Sequence, residues 1–117
     1  MHRINIKRVY ENPSNGDGYR ILVDRLWPRG ISKEKAGIEV WLRDVAPSNE
    51  LREWFSHDPV KWEEFVKRYR KELVGSKAFG NLLSLIRKKK KVTLVYSARD
   101  TLHNQAAALK SLLEEKP

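Results

Sequence analysis

At 117 residues the chain suits one domain with a modest core, and the absence of cysteine excludes disulfides, thiolate metal sites and cysteine nucleophiles. Twenty-four lysines and arginines against fifteen carboxylates give a formal charge of +9, but the excess is local: residues 1–60 carry ten basic and nine acidic side chains (+1), and residues 61–117 carry fourteen and six (+8). No run approaches the roughly 18 apolar residues of a membrane span, and the first eight residues lack the apolar core of a signal peptide, so a cytoplasmic protein is expected.

A third of the residues are charged and Gln105 is the only glutamine, a composition that leans towards thermophiles. Ile4, Ile6 and Val9 stand among charged neighbours, the pattern of a first strand. Asn12-Pro13-Ser14-Asn15-Gly16-Asp17-Gly18 is dense in turn formers and reads as a loop. Its length suits a hairpin or a tight crossover, which leaves the direction of the first strand open. Tyr19 to Asp24 is the second strand, and the unbroken Ile21-Leu22-Val23 run predicts burial on both faces. Ser32 is placed to cap one helical turn ending near Gly37. Ile38, Val40 and Leu42 alternate with Glu39, Trp41 and Arg43, which predicts a short edge strand with Trp41 on its exposed side.

After Ala46-Pro47-Ser48 a short helix bears Leu51, Trp54 and Phe55. Asp58-Pro59 is a helix start, followed by the apolar stripe Trp62, Phe65, Val66, Tyr69 and Leu73, and Gly75 ends that helix. Ser76 caps the next, with Phe79, Leu82, Leu83 and Ile86 inward. Val92 to Tyr96 is a dense β-branched strand. A last helix, from about Thr101 to Glu114 and capped by Asp100, places Leu102, Ala106, Leu109 and Leu113 on one side. The sum is an α/β fold: a small, mostly parallel sheet of three to four strands with helices packed on it, in a single domain over residues 1–117.

Chemistry concentrates where the second strand ends. Asp24, Arg25, Trp27 and Arg29 follow it, with Pro28 and Gly30 stiffening the loop, and the carboxyl ends of strands are where α/β folds hold ligands. Guanidinium forks match carboxylates and phosphates, which makes Arg25, Trp27 and Arg29 candidate ligand-binding residues. The plainer alternative pairs Asp24 with the arginines and puts Trp27 in the core. A second group follows the Val92–Tyr96 strand: Ser97, Arg99, Asp100, His103 and Asn104. Ser97 and Asn104 join the candidate ligand contacts, and the start of the last helix offers amides to an anion. Asp24 and His103 are the candidate catalytic, proton-moving residues. With no compelling nucleophile apart from Ser97, hydrolysis by activated water is the natural reaction. If the two strands are parallel neighbours, both groups share one crevice.

The run Arg87, Lys88, Lys89, Lys90 and Lys91 has two readings. It either complements a helix end and guards a strand against aggregation, or forms a nucleic-acid patch. No aromatic residue adjoins it, and no helix-turn-helix or zinc pattern accompanies it. His2, His57 and His103 lack metal-ligand spacing, so neither a metal nor another cofactor is expected. The partners expected are a small anionic molecule or, as the alternative, nucleic acid; an exposed Trp41 could mark a homodimer seam, and no membrane is implied.

Arg8-Val9-Tyr10, Asp17-Gly18-Tyr19-Arg20, Leu22-Val23-Asp24-Arg25-Leu26-Trp27-Pro28-Arg29-Gly30, Trp41, Ala46-Pro47-Ser48, Leu51-Arg52, Trp54-Phe55, His57-Asp58-Pro59, Trp62, Phe65, Tyr69 and His103-Asn104 together resemble the YeaO-like branch of domain of unknown function 488 (DUF488). The resemblance runs from near the N-terminus to the last helix. It implies a site around the same loops and no particular reaction. Longer members of the wider family carry a Cys-His-Arg motif near the position of His103; this chain lacks the cysteine, so thiol chemistry does not carry over.

Overall fold

The most β-branched segment of the chain, Lys91–Tyr96, lies between the first two strands of the sheet. In the computed structural model, which describes residues 3–115, the elements run β1 (Arg3–Arg8), β2 (Tyr19–Leu22), α1 (Lys33–Ala36), β3 (Val40–Trp41), α2 (Asn49–Phe55), α3 (Trp62–Leu73), α4 (Lys77–Lys88), β4 (Lys91–Tyr96) and α5 (Gln105–Leu113). His2, weighed above as a metal ligand, lies outside the described residues. Single 3-10 turns cover Asn15–Asp17, Arg43–Val45 and Pro59–Lys61. The sheet order is β1-β4-β2-β3 and every pairing is parallel. The turn-rich loop after β1 is therefore a crossover, carrying the chain past β4.

Period-two alternation divides the sheet into two unequal faces. Val92, Leu94 and Tyr96 of β4 point with Ile4, Ile21 and Val23 into the main core, where the helices contribute Leu51, Phe55, Phe65, Tyr69, Leu82, Ile86 and Leu109. Leu22 and Val95 point the other way, joining Val9 and Ala36 in a small cluster sealed by Trp27, Ile31, Ile38 and Trp41. Loops and the single turn of α1 cover this thin face. The unbroken apolar run of β2 follows, since Ile21, Leu22 and Val23 are all fully buried.

The crossover is packed by charge. Asp17 pairs with Lys7 Nζ at 3.1 Å and with Arg20 Nη1 at 2.7 Å, and its backbone carbonyl accepts the Thr93 hydroxyl at 2.6 Å. Arg20, only 3% exposed, also donates to the carbonyls of Gly37 (3.1 Å) and Ala36 (2.7 Å), so the buried cation is paired and hydrogen-bonded. Burial would raise the Asp17 pKa, yet the backbone N–H of Ser14, the Lys7 and Ser14 side chains and Arg20 bring it down to about 2. Gly18 closes the crossover at φ +67°, and a Cβ there would stand 2.5 Å from the Lys91 carbonyl oxygen.

Helix boundaries follow the capping residues at Ser32, Ser48 and Ser76, whose side chains accept from the backbones of Lys35, Leu51 and Phe79. The last helix departs from expectation. Asp100 does not cap it; Asn104, in extended conformation, accepts the Ala107 N–H at 2.8 Å, and α5 starts at Gln105. Trp41 is also corrected, from exposed to half-buried. Its indole joins the thin-face cluster, donates to the Asp24 carbonyl at 2.6 Å and meets Trp27 edge-on at 5.6 Å. No helix among the described residues is long and apolar enough to cross a membrane.

Candidate functional site

Asp24, two residues beyond β2, is 8% exposed. Its carboxylate accepts from the Gln105 side-chain amide and from both the hydroxyl and the backbone N–H of Ser97. Burial pushes its pKa above the usual carboxylate value, with the Ser97 and Gln105 hydrogen bonds opposing. Together with the Trp41 bond to its carbonyl, Asp24 ties the end of β2 to β3, to the loop after β4 and to the start of α5.

The loop beyond Asp24 is fixed at several points. Arg25 Nη2 donates to the carbonyls of Ala46 (3.1 Å) and Pro47 (3.2 Å), and its buried Nε has no partner among the described residues. Trp27 Nε1 donates to the Ile31 carbonyl at 2.8 Å. The Tyr10 hydroxyl donates to the Arg29 carbonyl at 2.8 Å, and Gly30 turns the chain at φ +75°. The Arg29 side chain stays exposed, with no hydrogen bond or ion pair among the described residues.

The loop after β4 is held as firmly. Arg8 donates to the carbonyls of Ala98 (2.9 Å, Nε) and Ser97 (3.1 Å, Nη2). Asp100 Oδ1 accepts the backbone N–H groups of Leu102 and His103, and Oδ2 lies 3.0 Å from His103 Nδ1. Those two N–H groups, with the imidazole, hold the Asp100 pKa below its usual value. The His103 ring stands edge-on to Trp62, with 5.3 Å between centroids. Asn104 is 3% exposed, and its amide is committed to the α5 cap and to the Asp100 carbonyl (2.9 Å). Arg99, between these anchors, is exposed and makes no bond among the described residues.

β2 and β4 are parallel neighbours, and the two residue groups meet at Asp24 and Ser97. From there they diverge. Trp27 lies in the thin-face cluster, whereas His103 rests on Trp62, which packs with Phe55 and Phe65 on the helical side. A groove of about 380 Å³ opens between β1 and α5, lined by Ile6, Thr101, Leu102, Ala107, Lys110 and Ser111 among others, and Asp24, Arg25, Trp27 and Arg29 do not line it. Sequence reasoning missed the residues that fasten the loops, namely Arg8, Tyr10 and Gln105. Their signal lay in chemistry left unplaced: a basic residue at the end of a strand, an aromatic residue just past it, and a lone glutamine. It also found no aromatic beside the basic run. In space Tyr19 adjoins it, with Lys89 Nζ 4.6 Å from the ring centroid.

The family described as the inactive DUF488-N3 subclade matches residues 3–117. An uncharacterised protein of Mycobacterium tuberculosis is 44% identical over 111 residues, covering 95% of this chain and 93% of its own length. YeaO of Escherichia coli, also described as uncharacterised, is 44% identical over 106 residues, covering 91% of this chain and 92% of its own. No solved structure matches the chain.

Proposed function

The chain belongs to the DUF488-N3 family, in the subclade described as inactive, and on that premise we propose that it binds a small anionic molecule, a carboxylate or a phosphate, without turning it over. The ligand lies at the carboxyl edge of the sheet, its charge met by Arg29 and Arg99. One observation carries this reading. Both guanidiniums are exposed and unbonded among the described residues, while the loops that bear them are tied to each other through Asp24. A free fork on a fixed loop grips two oxygens at once and loses little freedom in doing so. Trp27 lies half-buried in the same loop as Arg29. Arg25, Ser97 and Asn104 act through the loops they hold. Asp24 and His103 are the acid–base groups of this edge, no thiol stands with them, and the nucleophile candidate Ser97 is engaged with Asp24.

Calorimetric titration with inorganic phosphate, a nucleoside monophosphate and a dicarboxylate tests the reading. Binding of at least one is expected, weakened about tenfold or more, or roughly 1.4 kcal/mol, in Arg29→Ala. Equal affinity in the variant, or no binding of any of the three, sinks it. Phosphate release from the nucleotide that disappears in Asp24→Asn would favour a hydrolase instead.

A further inference from the structure

The opposite, amino-terminal edge of the sheet concentrates positive charge. The chain leaves α4 through Arg87 and Lys88, turns at Lys89 and Lys90, and enters β4 at Lys91. Arg3 opens β1 in register with Lys91 and donates its N–H to the Lys90 carbonyl at 3.2 Å, so a sixth basic residue from the other end of the chain joins the run. Tyr19 opens β2 in register with Val92, its ring against Lys89. Arg3, Arg87, Lys88 and Lys90 are exposed. Two carboxylates near this edge are engaged with other partners: Asp17 is buried against Lys7 and Arg20, and Glu39 accepts the Arg20 backbone N–H.

A helix end presents about half a unit of negative charge, which one cation satisfies. Six cations spread over a helix end, a turn and two strand starts exceed that need, and they repel one another. A compact anion would engage two or three of them, whereas the repeating phosphates of a nucleic-acid strand can engage the whole stripe. A lipid surface calls for apolar side chains among the cations, and the exposed members of this stripe are all charged. We propose that this edge binds the phosphodiester backbone of nucleic acid without sequence preference, at a surface separate from the carboxyl-edge site.

Fluorescence anisotropy with labelled single-stranded and duplex DNA of mixed sequence tests this. Binding to either is expected, with a log–log salt slope on the order of −3 to −5. The triple variant Arg87→Gln, Lys88→Gln, Lys90→Gln should bind at least tenfold more weakly, with the slope reduced by about two or three. Lys67→Gln, Lys71→Gln, Lys77→Gln changes net charge equally on exposed positions of α3 and the far end of α4, and should stay within about threefold of wild type. Urea midpoints of both variants confirm that each is folded. Equal loss in the two triples, flat salt dependence, or capture by phosphatidylserine vesicles that DNA does not displace each overturns the proposal. Arg29→Ala should leave DNA binding unchanged, so failure of the anion reading and failure of this one are separable.

Discussion

The pKa values of two buried carboxylates in this protein are shifted in opposite directions, and each shift leaves its own mark on stability. Asp17, with its pKa lowered from 3.8 to about 2, contributes stability that is fully present above the unfolded value and lost as the pH falls through about 2. The linkage amounts to about 2 kcal/mol. Asp17→Asn is expected to lose that much at neutral pH and to show a flatter acid limb in urea melts. Asp24 behaves in the opposite sense. Its pKa is raised, so the native state gains from its proton in acid and loses that gain as the pH climbs through the folded value. Asp24→Asn should therefore improve relative to wild type from about pH 3 towards neutrality. A constant difference between the two across that range would show that the Asp24 pKa is not raised in the folded state. Neither state was legible in the sequence. Arg20 sits inside an apolar run and Gln105 inside an alanine-rich helix, and what each pairs with is decided by strands far away in the chain.

Elements were read more securely than their joints. Ser32 and Ser76 mark helix starts because capping is a local bond within three residues. Asp100 misled because its carboxylate does accept two backbone N–H groups, at Leu102 and His103, closing a turn that precedes the helix. Asn104 then takes the cap, with φ −143°. The most exacting joint is Gly18, where left-handed backbone coincides with a 2.5 Å approach to the Lys91 carbonyl oxygen. Gly18→Ala must shift either the crossover or β4, and we expect a loss of more than about 1 kcal/mol, read as a lower urea midpoint. An unchanged midpoint would mean that the crossover yields freely.

At the scale of the whole molecule, the parallel α/β class followed from strands alternating with helices, and the candidate loops fell at the carboxyl edge as that class requires. Strand order did not follow, because pairing between residues 3–8 and 91–96 leaves no trace in local pattern. The division into a helix-covered face and a loop-covered face was hidden for the same reason, and with it the parting of Trp27 from His103. Native-state hydrogen exchange should reflect this division. Amides of β4, bonded on both sides, should exchange slowest and approach global unfolding, while those of the two-residue β3 and of α1 should open first. Faster exchange in β4 than in β3 would contradict this layering.

The Val9–Gly18 crossover also fixes when the sheet can exist. It holds β1 and β2 apart by one strand width, and the strand that fills the gap is made last. While the chain emerges from a ribosome, β1 has no neighbour, and β2 can pair only along the two residues of β3. Helices α2, α3 and α4 can gather before that point, but the surface they are shaped to cover is incomplete. Assembly therefore waits for residues 91–96, and a chain cut short at Lys90 would be a helical layer without its sheet. The early strands stay open-edged during synthesis, and the charged Arg3, Lys7 and Arg8 on β1 guard that edge until its neighbour arrives.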